Sequence, residues 1–236
     1  MKVNVFTALA FFGSSALAIA ADPAVETPMY SVYDWSGAYA GVHLGYGWGD
    51  SDFTDLEGWN LFGQTFAIES DGFLGGVQSG YNWQSGSFVF GGEAELGYLD
   101  LGGRGLQQDG VFNDTYGLVD GGWYAGLSAR LGFAMDRTLF YAKAGGVYLD
   151  GKYLLEDGVT LAGPDTLVGS ETIGWGYQIG AGVEHAVTEN WTLKLEYAYF
   201  DFGSETVTGF DSGGAPWDYR ADLSAHTVKI GVNYKF

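Results

Sequence analysis

Apolar and polar residues alternate with a period of two along most of this chain, in blocks about ten residues long. In the first block Ala38, Ala40, Val42, Leu44, Tyr46 and Trp48 share one face of an extended segment. Tyr39, Gly41, His43, Gly45 and Gly47 take the other. The pattern returns over residues 73–83, 88–98, 123–133, 140–148, 175–183, 191–199 and 226–236, giving eight predicted strands. The fifth is the least regular, because both of its faces are mixed. The apolar faces carry no charge, and most hold aromatics at their ends: Tyr46 and Trp48, Phe73 and Trp83, Phe88 and Tyr98, Trp123 and Phe133. In the last block Val228, Ile230, Val232, Tyr234 and Phe236 share a face, and the chain stops on that aromatic.

A face free of charge and bounded by aromatics suits lipid, where a charge at mid-bilayer costs about 2–4 kcal/mol. Roughly ten residues at about 3.3 Å each, tilted about 40°, cover an apolar band of about 25 Å. The gaps between blocks alternate in length. Short ones fall at 84–87, 135–137 and 186–190, and long ones at 49–71, 101–122, 151–173 and 203–225. Short turns on one side and long loops on the other are the rule for an up-and-down, all-β, eight-stranded antiparallel transmembrane β-barrel, with both termini in the periplasm. A water-soluble barrel of the same strand number would turn the apolar face inward. The aromatic girdles, the loop alternation and the terminal Phe236 argue for the membrane form.

The front of the chain fits export. Lys2, the apolar run to Ile19 and the small residues Ala18-Ile19-Ala20 form a secretory signal peptide over residues 1–20. A periplasmic stretch over 21–35 and a barrel domain over 36–236 follow. No other segment approaches eighteen uninterrupted apolar residues, so no helical span is expected. Hydrophobic residues make up 47% and aromatics 17%, with 40 Gly and no Cys, which suits many strands held without disulfides. The formal charge of −19 leaves no basic patch to neutralise phosphates, excluding a nucleic-acid partner.

The inward face holds Glu93, Glu95, Glu184 and Glu196 with Arg130, Lys143, Lys194, Lys229 and Lys235. Neighbouring strands carry opposite signs there, Glu93 and Glu95 beside Arg130 and Lys143, Glu196 and Lys194 beside Lys229. Buried charges persist only when paired, and eight strands enclose only room for side chains. The expectation is a polar lumen filled by an ionic network, not a wide pore. Most acids, among them Asp50, Asp52, Asp55, Glu57, Glu205 and Asp218, fall in the long gaps and read as a solvated, repulsive surface. The same acids suit divalent-cation bridging to lipopolysaccharide, but no calcium-loop spacing occurs, and no metal site or cofactor is assigned. His43 reads as a hydrogen-bonding member of the lumen. His226, two residues after Ser224, makes a lone Ser-x-His near the outer rim, where a lipid-modifying outer-membrane enzyme would build its site; no acid is fixed beside it by sequence, so that reading and a narrow porin stand as alternatives and no catalytic residue is assigned.

The chain also resembles the Omp25/RopB group of small outer-membrane proteins of alphaproteobacteria. The residues that carry the likeness are Ala18-Ile-Ala-Ala-Asp22, the run from Trp35 to Trp48, Gly91-Gly-Glu-Ala-Glu-Leu-Gly-Tyr98, Ala129-Arg-Leu-Gly132, Gly180-Ala-Gly-Val-Glu184, Leu195-Glu-Tyr-Ala-Tyr199 and Val228 to Phe236. The resemblance covers nearly everything but the long loops. It implies an outer-membrane location with envelope-structural and surface-exposed roles. Some members of the group are reported to bind haem or act as weak porins, activities that would reside in the loops and do not transfer residue by residue. The ending Gly231-x-x-Tyr234-x-Phe236 resembles the signal that barrel-assembly machinery reads. Expected partners are that machinery, outer-membrane lipids with lipopolysaccharide, and a surface ligand through the loops.

Overall fold

The computed structural model describes residues 33–108, 115–157, 166–211 and 214–236. The signal-peptide expectation lies outside these residues. Eight strands follow in chain order: β1 (Gly37–Asp55), β2 (Thr65–Ser85), β3 (Phe88–Leu106), β4 (Thr115–Met135), β5 (Thr138–Asp157), β6 (Thr166–Ala186), β7 (Trp191–Phe210) and β8 (Pro216–Lys235). Each pairs antiparallel with the next, and β8 pairs with β1 to close the barrel. The turns at one end are tight. Gly86 and Asp136 open two of them with left-handed φ of 61° and 52°, which the twist of a two-residue hairpin requires. This is the turn end; the opposite end is the loop end.

Within the band the predicted faces hold. Leu44, Phe73, Leu127 and Ile230 point outward and are exposed, while Gln78, Glu95, Ser128 and Lys229 are buried. The irregular fifth block follows suit, with Phe140 outward and Leu139, Tyr141 and Lys143 inside.

Most described residues of the long gaps are strand, not loop. The strands run 19 to 21 residues, about twice what the apolar band needs. On β1 the pleat continues unbroken past Trp48, but the hydrophobic pattern changes face. Asp50 and Asp52 now point outward, and Phe53 points in. Register shifts after Leu99, Asp120, Leu149 and Asp201 accommodate the same change on other strands. Beyond the girdle the barrel becomes a head with water outside and apolar side chains within. A pattern that inverts midway does not read as one strand, so the sequence alone marks these residues as loops.

The ladder of the head is interrupted twice. Six of the eight seams keep their ladders to the loop end, as with Thr54↔Thr65 on β1–β2 and Thr115↔Asp157 on β4–β5. Among the described residues, β2–β3 pairing stops at Asp71↔Gly102 and β6–β7 pairing at Tyr177↔Asp201. These seams lie on opposite sides of the ring. The head is therefore two four-stranded sheets, β7-β8-β1-β2 and β3-β4-β5-β6, facing each other over a shared apolar core.

Candidate functional site

The interior has three storeys. At the turn end Tyr33 and Trp35, which precede β1, pack with Val89, Ala134, Leu139, Tyr141 and Ala186. The middle holds the charges. Above them, from Leu74, Leu99, Val147 and Phe200 up to Phe53, Tyr153 and Trp217, the interior is apolar. The expected polar lumen is thus correct only for the middle storey. The head needs an apolar core because two polar sheet faces packed together would leave no hydrophobic gain.

In the middle storey all eight predicted members of the network meet. Lys143 Nζ lies 3.1 Å from Glu93, 3.0 Å from Glu95 and 2.8 Å from Glu196. Lys229 Nζ joins Glu95 at 2.9 Å and Glu196 at 2.8 Å. Lys194 Nζ sits 3.5 Å from both Glu93 and Glu196. Arg130 reaches Glu184 at 2.8 Å and Glu93 at 3.5 Å. Four carboxylates and four cations balance, and all are buried.

Hydroxyls and amides fill the remaining valences. Tyr39 and Tyr141 donate to Glu93 and Glu196, each at 2.8 Å. Asn233 donates to Glu184 at 2.8 Å. His43 Nδ1–H donates to Gln78 at 2.6 Å while its Nε2 accepts from Tyr124 at 2.6 Å, the hydrogen-bonding role expected of it. Inward glycines make the space. A Cβ on Gly80 would stand 2.5 Å from the Tyr39 ring, and one on Gly182 2.6 Å from Tyr141 Oη.

The route to this pairing differs from the expected one. Glu196 does oppose Lys229, and Glu184 opposes Lys194. Glu93 and Glu95, however, face Ser128 and Gly126 across the ladder, and Arg130 faces Lys143. Arg130 still reaches Glu93 on the neighbouring β3, two residues out of register, and the other charges are satisfied across the lumen, with Lys143 binding acids from β3 and β7. Lys235 is not in the network. It sits at the turn-end mouth, 4.7 Å above the Tyr33 ring, and donates to the Asp34 carbonyl. Glu93, Glu95 and Glu196 cluster as metal ligands might, but each is already held by lysine ammonium groups.

The loop end is covered as well. Asp55, seven residues past Trp48 and outside the apolar band, accepts backbone N–H bonds from Glu57, Gly58, Trp59, Asn60 and Leu61. This folds residues 56–64 over the mouth. Asn60 donates to Thr115 at 2.8 Å, and Trp59 stacks on Trp217 at 4.6 Å. Burial pushes the Asp55 carboxyl up, but the N–H groups of Asn60, Gly58, Leu61 and Trp59 outweigh it and hold the group below its usual range. A depressed folded pKa stabilises the cover above the unfolded value of about 3.9, and that contribution is lost as pH falls through the folded value. The circular-dichroism couplet of the stacked indoles, identified by its loss in Trp59→Phe, should persist at neutral pH and fade below about pH 4. A couplet unchanged in strong acid would refute this.

The geometry and the sequence now agree on a kind of protein. The model of the outer membrane protein beta-barrel domain family matches residues 5–236. The chain belongs to that family. It is 30% identical to the 31 kDa outer-membrane immunogenic protein of Brucella melitensis biotype 1, covering 96% of both chains. It is 34% identical to the 22 kDa outer membrane protein of Rhizobium leguminosarum bv. viciae, covering 90% of this chain and 83% of that one. These relatives agree with the Omp25/RopB resemblance. Among solved structures, OprG of Pseudomonas aeruginosa overlays with a TM-score of 0.52 at 11% identity, covering 85% of this chain and 96% of that one, a likeness of fold.

This outer-membrane barrel carries a marker that the strand pattern alone did not reveal. Trp48-Gly-Asp50, Asp71-Gly-Phe73, Tyr98-Leu-Asp100, Tyr148-Leu-Asp150 and Tyr199-Phe-Asp201 each set a carboxylate two residues past a loop-end girdle aromatic. Read as a repeat, they locate the upper edge of the band on five strands. Ser224 and His226 lie at this edge. Ser224 has Asp50 and Asp201 opposite it on the two neighbouring strands. His226 Nδ1 is instead engaged by Tyr197 Oη at 2.7 Å, and its ring stacks on Trp48. The acids therefore flank the serine and do not orient the histidine, which is not the geometry of a triad. At the chain end Tyr234 packs on Trp191 and exposed Phe236, while Gly231 faces inward against Lys194.

Proposed function

We propose that this barrel is a closed structural and surface-display element of the outer membrane, contributing to envelope integrity, with no through-channel. The observation that carries the reading is the filled interior among the described residues, with a balanced ionic lattice in the middle, an apolar core above it and a polar cluster of Asp55, Asn60, Gln107 and Thr115 at the loop end. Water and solutes would have to cross all three. The turn end and both termini face the periplasm, where short turns suffice, and the acidic head stands outside among lipopolysaccharide. The name of the Brucella relative, an immunogenic protein, supports exposure of the head. Gly231, Tyr234 and Phe236 serve as the assembly signal. Two outward aromatics beside an inward glycine on the closing strand fit an element recognised before closure.

Planar-bilayer recording of refolded protein is the test. The expected trace is flat at any applied voltage, with the protein shown folded by its altered migration on unheated gels. Reproducible unitary steps would turn the reading toward a narrow porin.

A further inference from the structure

The turn end carries a site that neither the lattice nor the fold explains. Tyr33 and Trp35 belong to no strand, yet each is only 2% exposed. Trp35 N–H donates to Gln84 Oε1 at 2.7 Å, and Gln84 N–H donates back to Ser36 Oγ at 3.1 Å, fastening this strap across β2. Under it lies a cavity of about 10 Å³, lined by the strap together with Asn82, Glu184, Thr192, Asn233 and Lys235. Three buried polar atoms of that lining have no partner: Tyr33 Oη, Trp35 Nε1 and Asn82 Oδ1. Buried polar atoms left without a partner are costly, so a native fold normally supplies one.

The chemistry of the three atoms selects a ligand. An indole N–H only donates, an amide oxygen only accepts, and a phenol does either. A cation cannot accept from Trp35, and an anion cannot donate to Asn82. A water molecule does both, and a volume of roughly 10–15 Å³ is what one water needs. We infer that the cavity binds a single water, joining Trp35 and Tyr33 to Asn82, and that this water seats the strap as a stopper over the lattice. Glu184 both lines the cavity and pairs with Arg130, so the stopper stands directly between solution and the ionic storey. The inference concerns the mouth alone and holds whether or not the barrel conducts.

Two measurements on refolded protein test it. A water cross-relaxation peak to the Trp35 indole proton is expected by NMR, with its loss in Asn82→Leu. Absence of the peak in the unaltered protein overturns the water site. The chain has no Cys, so Thr192→Cys supplies a sole thiol beneath the strap. Removing two buried aromatics by Tyr33→Ala and Trp35→Ala should speed its reaction with a charged methanethiosulfonate at least about tenfold. Trp35→Phe, which keeps a ring but lacks the N–H, should give a smaller rise while folding normally. Equal rates in all three backgrounds overturn the stopper.

Discussion

Lys229→Met should destabilise the folded barrel by about 3–5 kcal/mol, the cost of leaving buried charge without its partner. Lys229 binds Glu95 and Glu196 together, and its side chain is fully enclosed. Lys143 is within 3.0 Å of the same two acids but also serves Glu93, so it cannot take over. The lattice would hold four carboxylates against three cations. Lys229→Met combined with Glu196→Gln restores the balance at three each and should recover much of the loss. That non-additivity separates a charge effect from a packing effect. Urea titration of vesicle-inserted protein, read by tryptophan emission, gives both numbers. A single variant within about 0.5 kcal/mol of the parent would show that the lattice is hydrated and its charges screened.

Leu44→Arg should cost about 2–4 kcal/mol, whereas Asp50→Arg should cost almost nothing. Both side chains point outward on β1, six residues apart, and Leu44 is 70% exposed on the barrel surface. What differs is the medium. Leu44 lies in mid-band opposite Gly75 and Ile230, while Asp50 lies past Trp48 with Glu69 across the ladder. An arginine at position 50 removes a like-charge pair and gains an opposite one. The comparison needs equal insertion yields and the same urea assay. Equal penalties at the two positions would place the upper edge of the band inside the head and undo the boundary drawn at the girdle.

The membrane-spanning half of the fold was legible because one rule governs it. With lipid outside and a packed lumen within, positions such as Val42/His43 and Leu195/Glu196 alternate cleanly. The identity of the lattice members followed from the same parity. Only some partners followed: Glu196 meets Lys229 and Glu93 meets Arg130 between adjacent strands, whereas Glu93 and Lys143 meet across the lumen, and the curvature that joins them is a property of the closed ring. The head was missed for a different reason. Phe53, Ile68 and Val207 are inward apolar residues on strands whose outward face has turned acidic, so a reader following the lower half sees the alternation dissolve. Tyr33 and Trp35 show no period; Trp35 enters the sequence reading only through the family likeness, and only their burial reveals their role.

The two interrupted seams of the head have a consequence for how the chain can change. A strand in a closed cylinder answers to two neighbours, and a one-residue slip breaks both ladders and turns its side chains inside out. Past Asp71 and Gly102 on one side, and past Tyr177 and Asp201 on the other, β2, β3, β6 and β7 keep a regular ladder with one neighbour only, while Gly103 still abuts Glu69 and Gly169 still abuts Thr208 across the open seams. Insertions there disturb one hairpin and leave the ring below untouched. The outer half can thus lengthen, shorten or drift in register more readily than the band, where the lattice keeps every strand where it is.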